Sequence, residues 1–362
     1  MELELLRGPL EARWLESIAN LYGEFNRKYR DPEFCRRLFN ENPHGYSLHA
    51  FLVHPGRGVV GHYGIIPMAI LVEGRRAISG KGEAFVVHPN HREDTVRVEG
   101  DEPVAGGLAM PLHLYRYARE QGMELVHMIT GPEVGLIHRM TGCTGLRLRH
   151  HRATLTLSSD RAASPHPPSR REGLLVPLRA AQGIASGMAS AALLVRWERA
   201  EPSAGGALSD ERLAQIVDDL EPVRGWTLAI DSPTLSWFAR VGDLQVIALD
   251  DRMEDYALVC GRSGQGREME IVLWHQRSTG LRPALRLLAA VIRSARRRGN
   301  PVVAFSPGAA WNAAARARLR TAGRLLFFRE RMPAVGVYVY TSDRYYRDPD
   351  NLHFTPFFHA VF

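Results

Sequence analysis

Residues Gly82–Arg92 read Gly-Glu-Ala-Phe-Val-Val-His-Pro-Asn-His-Arg. The apolar run Ala84–Val87 predicts a strand, and Pro89 stops it just after His88. Downstream, Gly106-Gly107 precedes a segment that predicts a helix from Leu108 to Gln121, closed by Gly122. A strand that ends in Val-His-Pro-x-x-Arg and leads to glycines at a helix start reads as an anion cradle. The first N–H groups of a helix lack partners within it and stabilise phosphate without a lysine.

Working outward, Ala77–His88, Val59–Leu71 and Leu48–His54 are expected strands, joined through Glu73-Gly74-Arg75-Arg76 and Pro55-Gly56-Arg57-Gly58. Leu3–Leu6 reads as a strand and about Leu10–Phe25 as a helix. Asp31-Pro32-Glu33 starts another helix, with Asp31 as N-cap and Pro32 at the first helical position. Toward the C-terminus follow strand Leu125–Thr130, a turn and helix over Gly131–Thr141, and a closing strand Leu146–Leu157.

Ser158–Gly173 is rich in Ser, Pro and Arg, Leu174–Arg199 holds an Ala-rich helical segment, and Glu201–Asp210 is a connector. The earlier order then returns. Strand Met269–His275 is followed by Gly280-Leu281, a helix ended by Gly299, strand Pro301–Phe305, helix Trp311–Thr321 ended by Gly323, and strands Leu325–Arg329 and Ala334–Tyr340. Gly107-Leu108, Gly122 and Gly142 match Gly280-Leu281, Gly299 and Gly323, as in a diverged duplication. The expected class is α/β: two domains, 1–157 and 211–362, each a mixed, mostly antiparallel sheet flanked by helices, with a linker and bridging helix over 158–210.

The chain has 362 residues, 45% hydrophobic and 23% charged, which excludes a disordered polypeptide. Its longest uncharged run, Ala180–Val195, is shorter than a spanning helix of about 20 apolar residues. No membrane partner is expected. Met1-Glu2-Leu3-Glu4 has no signal-peptide character, so the expected location is cytoplasmic. Cys35, Cys143 and Cys260 are far apart, and there is neither a CxxC pair nor HExxH. Neither a disulfide scaffold nor a metal site is expected. The formal charge is +7, yet only Lys28 and Lys81 among the 46 basic residues are lysines. Solvated arginines on helix faces account for this balance, and nucleic acid is not expected as a partner.

The stretch around Gly82–Arg92, with Leu38-Phe39-Asn40-Glu41-Asn42-Pro43 and Val60-Gly61-His62-Tyr63-Gly64-Ile65-Ile66-Pro67, resembles the GCN5-related N-acetyltransferase (GNAT) superfamily in its two-domain, tandem form. The resemblance implies two GNAT-like domains and acetyl-CoA or another acyl-CoA as co-substrate. It implies pantetheine contacts along Phe85, Val86, Val87 and His88, and a pyrophosphate near Arg92, Gly106, Gly107, Leu108 and Ala109. The family loop, Arg/Gln-x-x-Gly-x-Gly/Ala, is compact. Here the acidic segment Glu93–Gly106 separates Arg92 from Gly107, and Val104 stands where Arg or Gln belongs. In the second half Arg277-Ser278-Thr279-Gly280 keeps Arg-x-x-Gly, but Arg282 replaces the small residue.

By the same resemblance, Glu83 occupies the place of a general base on the fourth strand. His138, four residues before Gly142, occupies the place of the acid, usually a tyrosine. An unperturbed imidazole titrates near 6.5 and suits that task. The plainer readings are a solvent-facing strand-edge carboxylate for Glu83 and a packed helix residue for His138. The matching position in the second half is Leu319, which carries no proton. The expected function is an N-acyltransferase acting on an amine of a small molecule or sugar by direct attack, with the first domain catalytic. A degenerate GNAT pair that binds or senses, and an aminoacyl-tRNA-dependent transferase, are the alternatives.

Overall fold

The computed structural model describes residues 1–23, 29–97, 102–146, 152–157, 208–220, 224–261, 268–306, 309–310, 312–326, 328–331 and 336–353. Of the expected linker over 158–210, residues 158–207 lie outside them. The chain divides into two compact units that are discontinuous in sequence. Unit 1 is Met1–Arg149, Pro222–Val241 and Ala334–His353; unit 2 is His150–Glu221, Gly242–Pro333 and Phe354–Phe362.

In unit 1, β1 (Glu2–Gly8), β2 (Ser47–His54), β3 (Gly58–Val72) and β4 (Arg75–Val87) form an antiparallel meander. β7 (Leu125–Thr130) joins parallel to β4. The order then continues β7, β16 (Gly336–Tyr340), β8 (Thr144–Leu146), antiparallel at both steps. One sheet face is covered by α1 (Ala12–Gly23) and α2 (Pro32–Phe39), and there Trp14 and Phe39 pack on Phe51, His49 and His62. Asp31 caps α2 by accepting from the Glu33 N–H at 3.0 Å. The opposite face carries α3 (Gly106–Glu120) and α4 (Pro132–Met140), with Met110, Leu114 and Tyr115 on Ala50, Tyr63 and Ile65. β5 (Thr95–Val96) and β6 (Val104–Ala105) pair as a short ribbon before α3.

Unit 2 repeats this plan. β11 (Leu244–Ala248), β12 (Asp255–Gly261) and β13 (Glu268–Gln276) are antiparallel, and β14 (Val302–Phe305) is parallel to β13. β9 (Arg152–Thr156) and β15 (Arg329–Arg331) complete the sheet. The helices are α5 (Asp210–Asp218), α7 (Leu281–Arg297) and α8 (Ala313–Leu325); between α5 and α7 in sequence, α6 (Ser232–Gly242) belongs mostly to unit 1. Leu287, Leu288, Val291 and Leu319 pack on Ile271, Trp274, Val303 and Phe305.

The expected mixed, mostly antiparallel sheets are present in both units. Three expectations change. The strand placed at Leu146–Leu157 is two strands: β8 in the first sheet and β9 in the second. The strand at Ala334–Tyr340 lies in the sheet of unit 1 instead of the second domain, so continuous domains 1–157 and 211–362 are not the division the chain makes. The reason is backbone pairing. β7 pairs with β4 along one edge over three rungs, and β16 pairs along its other edge over Val126–Thr130, whose backbone groups would otherwise form an open sheet edge. Finally, Gly323 does not end α8. The helix runs on to Leu325, and a Cβ at Gly323 would lie 2.6 Å from the Phe305 ring, so this glycine permits close helix–sheet packing.

Gly225 sets β10 (Trp226–Leu228) against β3. Its N–H donates to the Glu73 carboxylate at 3.0 Å and its carbonyl accepts from the Glu73 N–H at 2.9 Å. It has φ +84°, and a Cβ there would collide with the Asn351 carbonyl. Gly225→Ala combines left-handed strain with backbone overpacking. It should destabilise the protein by about 2–4 kcal/mol, read from the denaturant midpoint; an unchanged midpoint would contradict the packing described here.

Candidate active site

β4 and β7 pair only at Ser79–Leu125, Gly80–Val126 and Lys81–His127. Beyond that rung β4 continues to Val87 and β7 to Thr130, and the two strands part. The cause lies on β4. Between His62 and Gly64 the β3–β4 register shifts, so that Tyr63 faces both Ala84 and Phe85. Ala84 takes φ +60°, a left-handed conformation rare for a residue with a Cβ. Such a bulge adds local twist and turns the strand away from its neighbour.

The bulge falls after Glu83 and turns Phe85 to the face opposite Glu83, against Tyr63 and His138. Lys81 and Glu83 point to the α1/α2 face. The Glu83 carboxylate accepts from the Tyr29 hydroxyl through Oε1 and is ion-paired with Lys81 Nζ through Oε2. The two side chains are only 5% (Lys81) and 11% (Glu83) exposed, which excludes the solvent-facing reading of Glu83. Burial, reinforced by the Glu83 charge, raises the hydroxyls of Tyr22 and Tyr29 well above their ordinary pKa.

The opposite face holds a hydroxyl–imidazole chain. Tyr63 Oη and Tyr115 Oη are 3.1 Å apart, and Tyr115 Oη is 2.6 Å from His138 Nδ1. The Phe85 ring lies against Tyr63 and His138, at centroid separations of 5.3 and 6.2 Å. A Cβ on Gly82 would collide with the Tyr63 hydroxyl, so the absence of a side chain there lets that hydroxyl reach the strand at the start of the split. Burial lowers the pKa of His138 to about 4 and raises that of Cys143 to about 12. This corrects the expectation of a histidine titrating near 6.5: His138 is a neutral imidazole at pH 7, and burial keeps the Tyr63 and Tyr115 hydroxyls protonated beside it. Neither tyrosine was singled out from the sequence. Tyr63 lies within the Val60–Pro67 segment, but Tyr115 is one aromatic among many on an apolar helix face.

Glu83 and His138 therefore sit on opposite faces of the split, not side by side. Of the residues assigned to pantetheine, Phe85 and Val86 are half-buried, Val87 is buried in the core, and His88 ends the strand with its N–H on the Val60 carbonyl at 2.8 Å. Arg92 is exposed. Of the acidic insertion, Thr95–Val96 and Val104–Ala105 pair as the β5–β6 ribbon. Within the insertion Asp94 is bonded to His91 Nδ1 at 2.6 Å, and its carbonyl accepts from the Gly106 N–H at 3.0 Å. Glu93 and Glu102 are exposed. Glu99 and Asp101 lie outside the described residues. A Cβ at Gly106 would lie 2.6 Å from Leu52, so Gly106 is a packing glycine, and Ala109 is buried in the core. At Gly107 the nearest atom to an added Cβ is on Val87 at 3.8 Å, which leaves room beside the helix start. Leu108 is half-buried.

In unit 2, β13 and β14 pair as far as Ile271–Phe305, and an isolated Trp274–Ala310 bridge pairs β13 again beyond that point. The loop into α7 is compact. Gln276 Nε2 donates to the carbonyls of Ser278 and Gly280 at 3.0 and 3.1 Å, and Ser278 N–H donates to Asp255 at 3.0 Å. Gly280 has φ +96° and open space where a Cβ would stand. Leu319 is fully buried in the core. Among the described residues no group of three or more His, Cys, Asp or Glu gathers as for a metal, and no helix is long and apolar enough to cross a membrane.

No protein-family model matches the chain, and no curated protein is significantly similar. The likeness is to solved structures. A tandem GNAT protein from the clavulanic acid biosynthesis pathway matches 93% of this chain and 98% of its own, with TM-score 0.50 and 14% identity. The fold is the tandem GNAT fold. GCN5-related N-acetyltransferases from Kribbella flavida and Anabaena variabilis match 93% and 94% of this chain and 71% and 74% of theirs, with TM-scores of 0.49 and 0.47 and identities of 12% and 14%.

Proposed function

We propose that the chain is an N-acyltransferase that moves an acyl group from an acyl-CoA to the amine of a small molecule, with unit 1 as the catalytic unit. The observation that carries this reading is the split between β4 and β7, with the Glu83 carboxylate on one face and the Tyr63–Tyr115–His138 chain on the other. Acyl-CoA supplies an activated thioester. The residues present fit it: β4 is half-buried and unpaired to β7 over Phe85–Val86, and there is room beside Gly107. Glu83 would take the proton of the attacking amine. Tyr115, its hydroxyl oriented by neutral His138, would supply the proton for the departing sulfur. No covalent enzyme intermediate is needed, since Cys143 is buried and held as a thiol.

A second reading has its own observation: the compact loop of unit 2, open at Gly280, offers the more regular phosphate cradle. Calorimetric titration of acetyl-CoA against two variants separates the two. Gly107→Phe should weaken binding by about tenfold or more, while Gly280→Phe should not. The reverse pattern would move the thioester to unit 2.

A further inference from the structure

We propose that Lys81 is itself an acyl acceptor, a self-acylation site inside unit 1. This rests on the reading that the unit takes an acyl thioester. Lys81 stands on the last rung shared by β4 and β7, opposite His127, at the apex of the split. Its side chain is 5% exposed, and Nζ reaches forward along β4 to the Glu83 carboxylate, toward the stretch where the strands have parted. A primary amine and the carboxylate that would deprotonate it are thus already in contact, side by side, where the acceptor amine of the proposed reaction must also arrive. Lys28, the other lysine, lies outside the described residues.

The chemistry closes without a further reagent. Lys81 begins as an ammonium and Glu83 as a carboxylate. Glu83 takes one proton from Nζ, and the Nζ lone pair attacks the thioester carbonyl carbon. The C–N bond forms, the C–S bond breaks, and its electron pair leaves on sulfur. The second Nζ proton goes to that sulfur. The products are an amide on Lys81, a free thiol and Glu83 as its acid. Exclusion of water favours the first step, because a neutral amine and a neutral acid need less solvation than an ion pair. Proximity supplies the rest: nucleophile and base are held on one strand two residues apart. Once Lys81 is an amide, Glu83 has lost the cation that holds it and is available to an external amine.

The test is to incubate the full-length protein with acetyl-CoA, follow intact mass, and map the modified peptide, with acetyl-CoA affinity measured in parallel by calorimetry. One acetyl group stable to hydroxylamine on Lys81 is the expected result, since an amide survives hydroxylamine and a thioester on cysteine does not. Lys81→Arg keeps the positive charge beside Glu83 and should bind acetyl-CoA but take no label there. Glu83→Gln should slow labelling by about 10²–10⁴-fold. Binding without label on Lys81, or label on Lys81 at an unchanged rate in Glu83→Gln, overturns the proposal and leaves the acyl-CoA reading standing. Absence of binding to the wild-type protein removes both.

Discussion

Glu83→Gln is expected to lower acyl transfer to an external amine by about 10²–10⁴-fold, the usual contribution of a general base. The same substitution has a structural consequence that must be separated from the chemical one. Glu83 is the counter-ion of a lysine that is 95% removed from solvent. Removing one partner of a buried pair leaves the other charge uncompensated and costs about 3–5 kcal/mol. The single variant should therefore be both slow and unstable. Lys81→Met with Glu83→Gln removes both charges and should recover much of the stability while turnover stays low. The measurements are denaturant midpoints and single-turnover rates at saturating acyl-CoA. If the double variant recovers rate along with stability, Glu83 is a structural carboxylate and no base. If it recovers stability alone, the catalytic assignment holds.

Acid should destabilise unit 1 steeply, well before its carboxylates titrate. Burial lowers the pKa of His49 and His127 to about 3 and of His138 to about 4, and lowers His62 well below its ordinary value, with the neighbouring His49 adding to the effect. The unfolded chain titrates these groups near 6.5. Between that value and the folded values the unfolded state binds protons that the folded state refuses, so stability rises with pH across the window and falls as the solution is acidified. At pH 5 each such histidine removes about 2 kcal/mol relative to pH 8. Four of them together remove several kcal/mol, against a total stability of about 5–15 kcal/mol for a domain. Thermal midpoints should fall sharply from pH 7 to pH 5. His138→Gln should make that dependence shallower, because one titrating site is gone. A midpoint independent of pH over this range would mean that these histidines are charged, or solvated, in the folded protein.

Much of the architecture was legible because its signals are local. Alternating apolar residues and the turns at Pro55–Gly58 and Glu73–Gly74 marked β2, β3 and β4 within a residue or two of their observed ends. Asp31-Pro32 marked the start of α2, and Gly122, with φ +84°, marked the end of α3. These are statements about one residue and its immediate neighbours, where backbone sterics and capping hydrogen bonds decide the outcome. The repeated strand–helix–strand order was legible for the same reason, and so was the position of Glu83 on the strand that parts from its neighbour.

Only the tertiary structure decided which strand pairs with which. β9 and β16 are short strands whose place depends on backbone groups left unpaired far away in sequence, and nothing in Arg152–Thr156 or Gly336–Tyr340 names those partners. The chemistry of the candidate site was settled at the same level. Whether Glu83 faces water or lies buried beside Lys81 depends on Tyr29, 54 residues earlier, whose hydroxyl binds its carboxylate. Whether His138 is charged depends on the burial that α3, α4 and β16 impose together, and its partner Tyr115 lies 23 residues away. Sequence specifies a side chain's intrinsic proton affinity; desolvation and the charges folded around it determine the state in which it works.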